Sequence, residues 1–137
     1  MFREISSSHV GAMLSLVALA SEAATTMRGY EAHHRAKIHE EGRANKAAIN
    51  AQIAQSLEDA VSAIAQDLEF DSKAFEHLLK LTSEAAKTFR IYEGHHRAKD
   101  GSDRTERADR NASIAGRIEH AAGALATWMI LEDRQPS

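Results

Sequence analysis

The chain contains no cysteine, which excludes disulfides, thiolate metal sites and thiol catalysis together. It has one proline, Pro136, near the end of the sequence, so nothing before it interrupts a helix. Aromatics are scarce, at one tryptophan, two tyrosines and four phenylalanines, and any core must be built from smaller side chains. An excess of one charge is also missing. The 17 basic and 20 acidic residues leave a net charge of −3, which excludes a polybasic nucleic-acid binder and an acidic tail. The most apolar stretch, Val10–Ala20, is too short to span a bilayer. It follows Arg3 and ends in small residues like a cleavable signal, but Glu4 cancels Arg3 and the stretch continues in helical phase into a segment that recurs later in the chain. The expectation is a protein that is neither secreted nor embedded in a membrane, working in a cytoplasm, its own or, as a virion component, that of a host.

What is abundant is alanine, at 26 of 137 positions. Alanine is the strongest helix former, so the composition points to an all-α fold, and a mass of 15.0 kDa suits one domain with one core. The chain is also internally duplicated. Ser21–Lys37 realigns 62 positions later on Ser83–Lys99 with thirteen of seventeen residues identical. At offset 61, Ala44–Ala65 aligns with Thr105–Ala126 with nine of twenty-two identical, keeping Asn50/Asn111, Ile53/Ile114 and Glu58/Glu119. The change of offset falls near Gly42 and Gly101, where a turn between helices tolerates a deletion.

Two helical hairpins follow, as repeats over about 8–69 and 71–132. The pattern predicts helices over Ser8–Glu40, Arg43–Glu69, Asp71 or Ser72 to Lys99, and Asp103 to Glu132, with Asp103 and Glu106 forming a capping box. Short connections make an antiparallel four-helix bundle the default, or two extended hairpins that a second copy completes. The expected core stripes are Met13, Leu16/Val17, Ala20, Ala24 and Met27 on the first helix and Ile49, Ile53, Leu57, Ala60, Ile64 and Leu68 on the second. The third contributes Phe75, Leu79, Thr82, Ala86 and Phe89, and the fourth Ile114, Ile118, Ala121, Leu125 and Trp128/Met129.

Continued by three- and four-residue steps, the first stripe reaches Glu31 and His34, and the third reaches Glu93 and His96. On the partner helices the stripes lead back to Asn50 and Asn111. These side chains are expected to gather at the turn end of the hairpins. Glu31-x-x-His34 and Glu93-x-x-His96 place a carboxylate and an imidazole on one helix face, a spacing that suits an iron, manganese or zinc ion. In these four residues the chain resembles the ferritin-like di-iron carboxylate proteins. That resemblance implies a further glutamate on each remaining helix, where this chain has Asn50 and Asn111, with Glu58 and Glu119 about two turns deeper.

The leading alternative involves no metal. Arg28 and Arg35 bracket Glu31, and Arg90 and Arg97 bracket Glu93, at the three- and four-residue spacings of intrahelical ion pairs. Cross-pairing of Arg28 with Glu93 and Arg90 with Glu31, with His34, His96, Asn50 and Asn111 completing the hydrogen bonds, makes a buried polar network that fixes helix register. A third reading uses the arginines with Lys37, Lys99 and the histidines to hold a phosphate. Tyr30, His33, Tyr92 and His95 flank the motif and are expected to be half-exposed. Arg104, Arg107, Arg110 and Arg117 read as a solvated basic edge. No phosphate loop, nucleophile elbow or His-Glu-x-x-His helix is present. The sequence therefore favours a non-enzymatic binding or assembly module that pairs with itself or with another helical protein and takes no specific nucleic acid.

Overall fold

The computed structural model describes residues 7–66 and 72–134, with side chains over 11–66 and 73–127. Four helices account for nearly all of this length: α1 (Ser7–Arg35), α2 (Arg43–Gln66), α3 (Ser72–Arg97) and α4 (Ser102–Arg134). No strand occurs among the described residues, and the pairings α1·α2 and α3·α4 are dense, consistent with helical hairpins packing into a bundle. No helix among them is long and apolar enough to cross a membrane.

The helix ends show how the chain turns. The first helix stops at Arg35, before the expected Glu40, and the chain tightens through three-residue bonds from Lys37 N–H to the His34 carbonyl (3.1 Å) and from Glu40 N–H to the Lys37 carbonyl (2.9 Å). Gly42, at φ 82°, then supplies a left-handed backbone that side-chain-bearing residues rarely adopt, and its carbonyl accepts the Lys46 N–H at 3.1 Å to open α2. In the second hairpin α3 ends at Arg97, before the expected Lys99, and Gly101 (φ 128°) accepts from the N–H groups of Arg104 and Thr105. Gly101 thus opens α4 in place of the expected Asp103, which lies inside the first turn where a carboxylate favours the positive helix end. The expected end of the second helix at Glu69, the cap at Asp71 and Ser72, and the core roles of Leu68, Trp128 and Met129 fall outside the described residues or side chains.

The chain divides into two compact units, Ala20–Leu81 and Met1–Leu19 with Thr82–Ser137. In the first, α1 contributes buried Ala20, Ala23, Ala24 and Met27, α2 contributes Ala47, Asn50, Ala54, Leu57, Ala60 and Ile64, and α3 contributes Phe75 and Leu78. In the second, Met13, Leu16 and Leu19 of α1 are buried, as are Thr82, Ala85, Ala86 and Phe89 of α3 and the α4 stripe from Ala108 through Asn111, Ile114 and Ile118 to Leu125. The buried series on α2 steps by three and four residues through alanines and an asparagine. Ile49, expected in that seam, is 53% exposed because the small residues Ala47 and Ala54 face inward in its place. Leu79 and Ile53 are half-buried, and Leu78 and Ala54 take the positions nearest the core.

Candidate functional site

Two turns inside the end of α1, the Arg28 guanidinium reaches across to the second half of α2. It grips Glu58 with two bonds, Nη2 to Oε1 at 2.7 Å and Nε to Oε2 at 3.2 Å, the fork geometry that suits arginine to a carboxylate. The same guanidinium donates from Nη1 to Glu31 Oε1 (3.0 Å) and from Nη2 to Gln55 Oε1 (3.0 Å). Arg35 Nε holds the other oxygen of Glu31 at 2.8 Å. One arginine therefore ties two helices through two carboxylates, and a second arginine closes the set.

The second hairpin reproduces this arrangement. Arg90 holds Glu119 through Nη2 (2.6 Å) and Nε (3.2 Å) and Glu93 through Nη1 (3.0 Å). Arg97 Nε donates to Glu93 Oε2 at 2.9 Å, and its Nη2 also meets Asp109 at 3.2 Å. The copy departs from its twin at the position of Gln55, where it has Gly116 instead.

Burial grades these groups. The Glu31 and Glu93 side chains are 16% and 18% exposed, whereas Arg28 and Arg90 are 36% and 42% exposed, so the arginines lie nearer to solvent than the motif carboxylates they hold. Asn50 and Asn111 are fully inside, and the Asn111 amide donates to the Arg107 carbonyl at 2.8 Å. Hydrogen bonds from Arg35 and Arg28 hold the Glu31 carboxyl below its usual range, as those from Arg90 and Arg97 do for Glu93. Arg28 and Arg90 depress Glu58 and Glu119 in the same way.

Each motif histidine meets an arginine from the next helix. Arg43 Nη1 lies 2.9 Å from His34 Nδ1, and Arg104 Nη1 lies 3.1 Å from His96 Nδ1. Arginine only donates, so Nδ1 is the acceptor in both rings and the proton of the neutral imidazole sits on Nε2. Burial, followed by the neighbouring charge of Arg43 or Arg104, pushes both imidazoles below the usual histidine range. Tyr30 and Tyr92 are half-buried, while His33 and His95 are exposed, with His33 edge-on to His34 at 5.5 Å.

The arginines and glutamates singled out for the network are thus ion-paired, but the pairing differs from the expected one. Arg28 and Arg90 take their second carboxylates from α2 and α4, as Glu58 and Glu119, which were expected to be too deep. The signal was in the count from the turn, because Arg28 lies 14 residues before Gly42 and Glu58 lies 16 after it. Arg43 was missed, and Arg104, expected on a solvated edge, is half-buried against His96. The residues do not fit a metal. Both oxygens of Glu31 and of Glu93 carry arginines, each Nδ1 faces a guanidinium, and among the described residues no group of three or more His, Asp or Glu side chains is placed to share an ion. No protein-family model, curated protein or solved structure matches the chain.

Proposed function

We propose that the chain is a non-enzymatic binding or assembly module in which each hairpin is locked well inside its length by an arginine clamp, so that its two helices present a fixed surface to a partner. The observation that carries this reading is the two-helix grip of Arg28 on Glu58 and of Arg90 on Glu119, repeated with the same atom pairing in both halves. The clamp keeps the motif carboxylates ionised and arginine-bound, which suits register and rigidity; a general acid or base requires a group poised near neutrality. Leu14, Ile38, Ile49 and Ile91 add exposed apolar contacts for a second copy of the chain or a helical protein.

Light scattering over a range of concentrations tests the assembly part directly. A mass above 15.0 kDa that rises with concentration supports self-assembly, and a strictly monomeric mass at high concentration refutes it. Elemental analysis of protein purified without chelator tests the rest, since a stoichiometric transition metal contradicts a clamp made of arginine and glutamate alone.

A further inference from the structure

We propose that Arg104, together with His96, Arg107 and Lys99, forms a site for an oxyanion, a carboxylate or phosphoryl group. This names the ligand chemistry of the binding-module reading and rests on it. The argument comes from a difference between the two turns. In the first hairpin Arg43 donates to His34 and, through Nε, to Glu40 Oε2 at 3.2 Å, so the chain supplies its own carboxylate to that guanidinium. In the second hairpin Arg104 makes the same bond to His96, but it meets no carboxylate among the described residues. Asp100 and Asp103, its neighbours in the connection, form no ion pair with it. The connection between Lys99 and Arg104 is one residue shorter than that between Lys37 and Arg43, and the place of Glu40, three residues before the arginine, is taken by Gly101.

The result is a half-buried arginine whose hydrogen-bond partner is a neutral imidazole. A partly desolvated cation without a counter-charge is costly, and an incoming oxyanion removes that cost. The surroundings are arranged to hold one. Arg107, Lys99 and His95 all lie close enough to His96 to act on its charge state, and each has a counterpart, Lys46, Lys37 and His33, acting in the same way on His34. Positive charge is kept at every one of these places, with Arg107 where the first hairpin has Lys46, and of the acids present only in the second hairpin, Asp109 is held by Arg97 at 3.2 Å. The Nε2–H of His96 is a further donor. Glu40 therefore marks, in the first hairpin, where an anion sits against the equivalent arginine of the second.

The test uses the full chain with isotope-labelled histidine and arginine, titrated with inorganic phosphate and separately with acetate. Ionic strength is held constant with chloride, at a pH where the imidazoles are neutral. The expected result is a saturable shift of the His96 ring and Arg104 Nε signals, with His34 and Arg43 unmoved. Arg104→Gln abolishes the response. Glu40→Gln, which vacates the equivalent position in the first hairpin, makes His34 and Arg43 respond. Saturation by phosphate alone assigns a phosphoryl group, and saturation by both assigns carboxylates as well. The proposal is overturned if neither anion saturates, if Arg104→Gln responds like the parent, or if both hairpins respond equally with Glu40 intact. A monomeric chain that still binds phosphate refutes the assembly reading and leaves this site standing, while an oligomer that ignores both anions does the reverse.

Discussion

Gln55 and Gly116 occupy equivalent places in the two repeats, and the difference between them gives a quantitative test of how far the repeats share one geometry. Gln55 Oε1 accepts from Arg28 Nη2 at 3.0 Å, whereas a Cβ built on Gly116 meets Arg90 Nη2 at 3.7 Å, an ordinary contact distance. There is room for a side chain, and the glycine sits inside α4 with no backbone requirement for it. Glycine in a helix interior is less favourable than alanine by about 1 kcal/mol, so Gly116→Ala should stabilise the protein by roughly that amount. For a chain of this length such a gain raises Tm by about 3–5 °C. Gly116→Gln gives up a few tenths of that in propensity but places an amide oxygen on Arg90, and because this is an exposed contact it returns only about 0.3 kcal/mol. The two variants should therefore be near-equal and both above the parent. Urea unfolding, comparing midpoints at unchanged slope, measures this. A Gly116→Gln protein less stable than the parent would refute the equivalence, because it would mean that Arg90 and the α4 surface do not leave the space that Arg28 and α2 leave for Gln55.

Acid should destabilise the protein in two stages. His34 and His96 are depressed below their ordinary value of 6.5, so below that pH the unfolded chain binds more protons than the folded one and stability falls; Glu31, Glu58, Glu93 and Glu119 are depressed below 4.5, and their contribution is lost as pH drops further through their folded values. A melting series across this range should show both stages, and a His34→Gln/His96→Gln variant should weaken the first while keeping the second. In the third turn of α4, Asn111→Asp sets a carboxylate oxygen against the Arg107 carbonyl that the amide now serves at 2.8 Å, and burial with an acceptor facing an acceptor should cost about 2–3 kcal/mol in denaturant unfolding. A cost below half of that would show that the amide is not oriented as described.

The sequence-level reading of the fold rested on large apolar residues at helical spacing, and this worked where such residues fill the core, as at Leu16, Met27, Phe75, Phe89 and Ile118. It failed on the first turns of α2. There the seam is alanine and asparagine, and Ile49 faces outward, because close approach of two helices selects small side chains and periodicity counts large ones. Helix ends were overrun for a related reason. Lys, His and Glu continue a helix well by propensity, but the left-handed Gly42 and Gly101 require the chain to leave the helix a few residues earlier. The polar motif was legible as a set, since thirteen of seventeen identities in the repeat single it out. Its wiring was not. Depth along the hairpin was counted from Glu31, whereas Arg28, one turn further from Gly42, is the residue nearly level with Glu58. The arginine–imidazole pairs were missed because Arg43 and Arg104 lie just outside the aligned stretch.

The central claim is that Arg28 and Arg90 clamp their hairpins through Glu58 and Glu119 in the same way. Double-mutant cycles measure it most directly, Arg28→Met with Glu58→Gln in one half and Arg90→Met with Glu119→Gln in the other, by denaturant unfolding at low and high salt. The distances, 2.7 and 2.6 Å, and the similar exposures of the two pairs predict favourable couplings of matching size that shrink together as salt is added. A coupling of zero in both halves, or a substantial coupling in one and none in the other, would contradict the duplicated clamp.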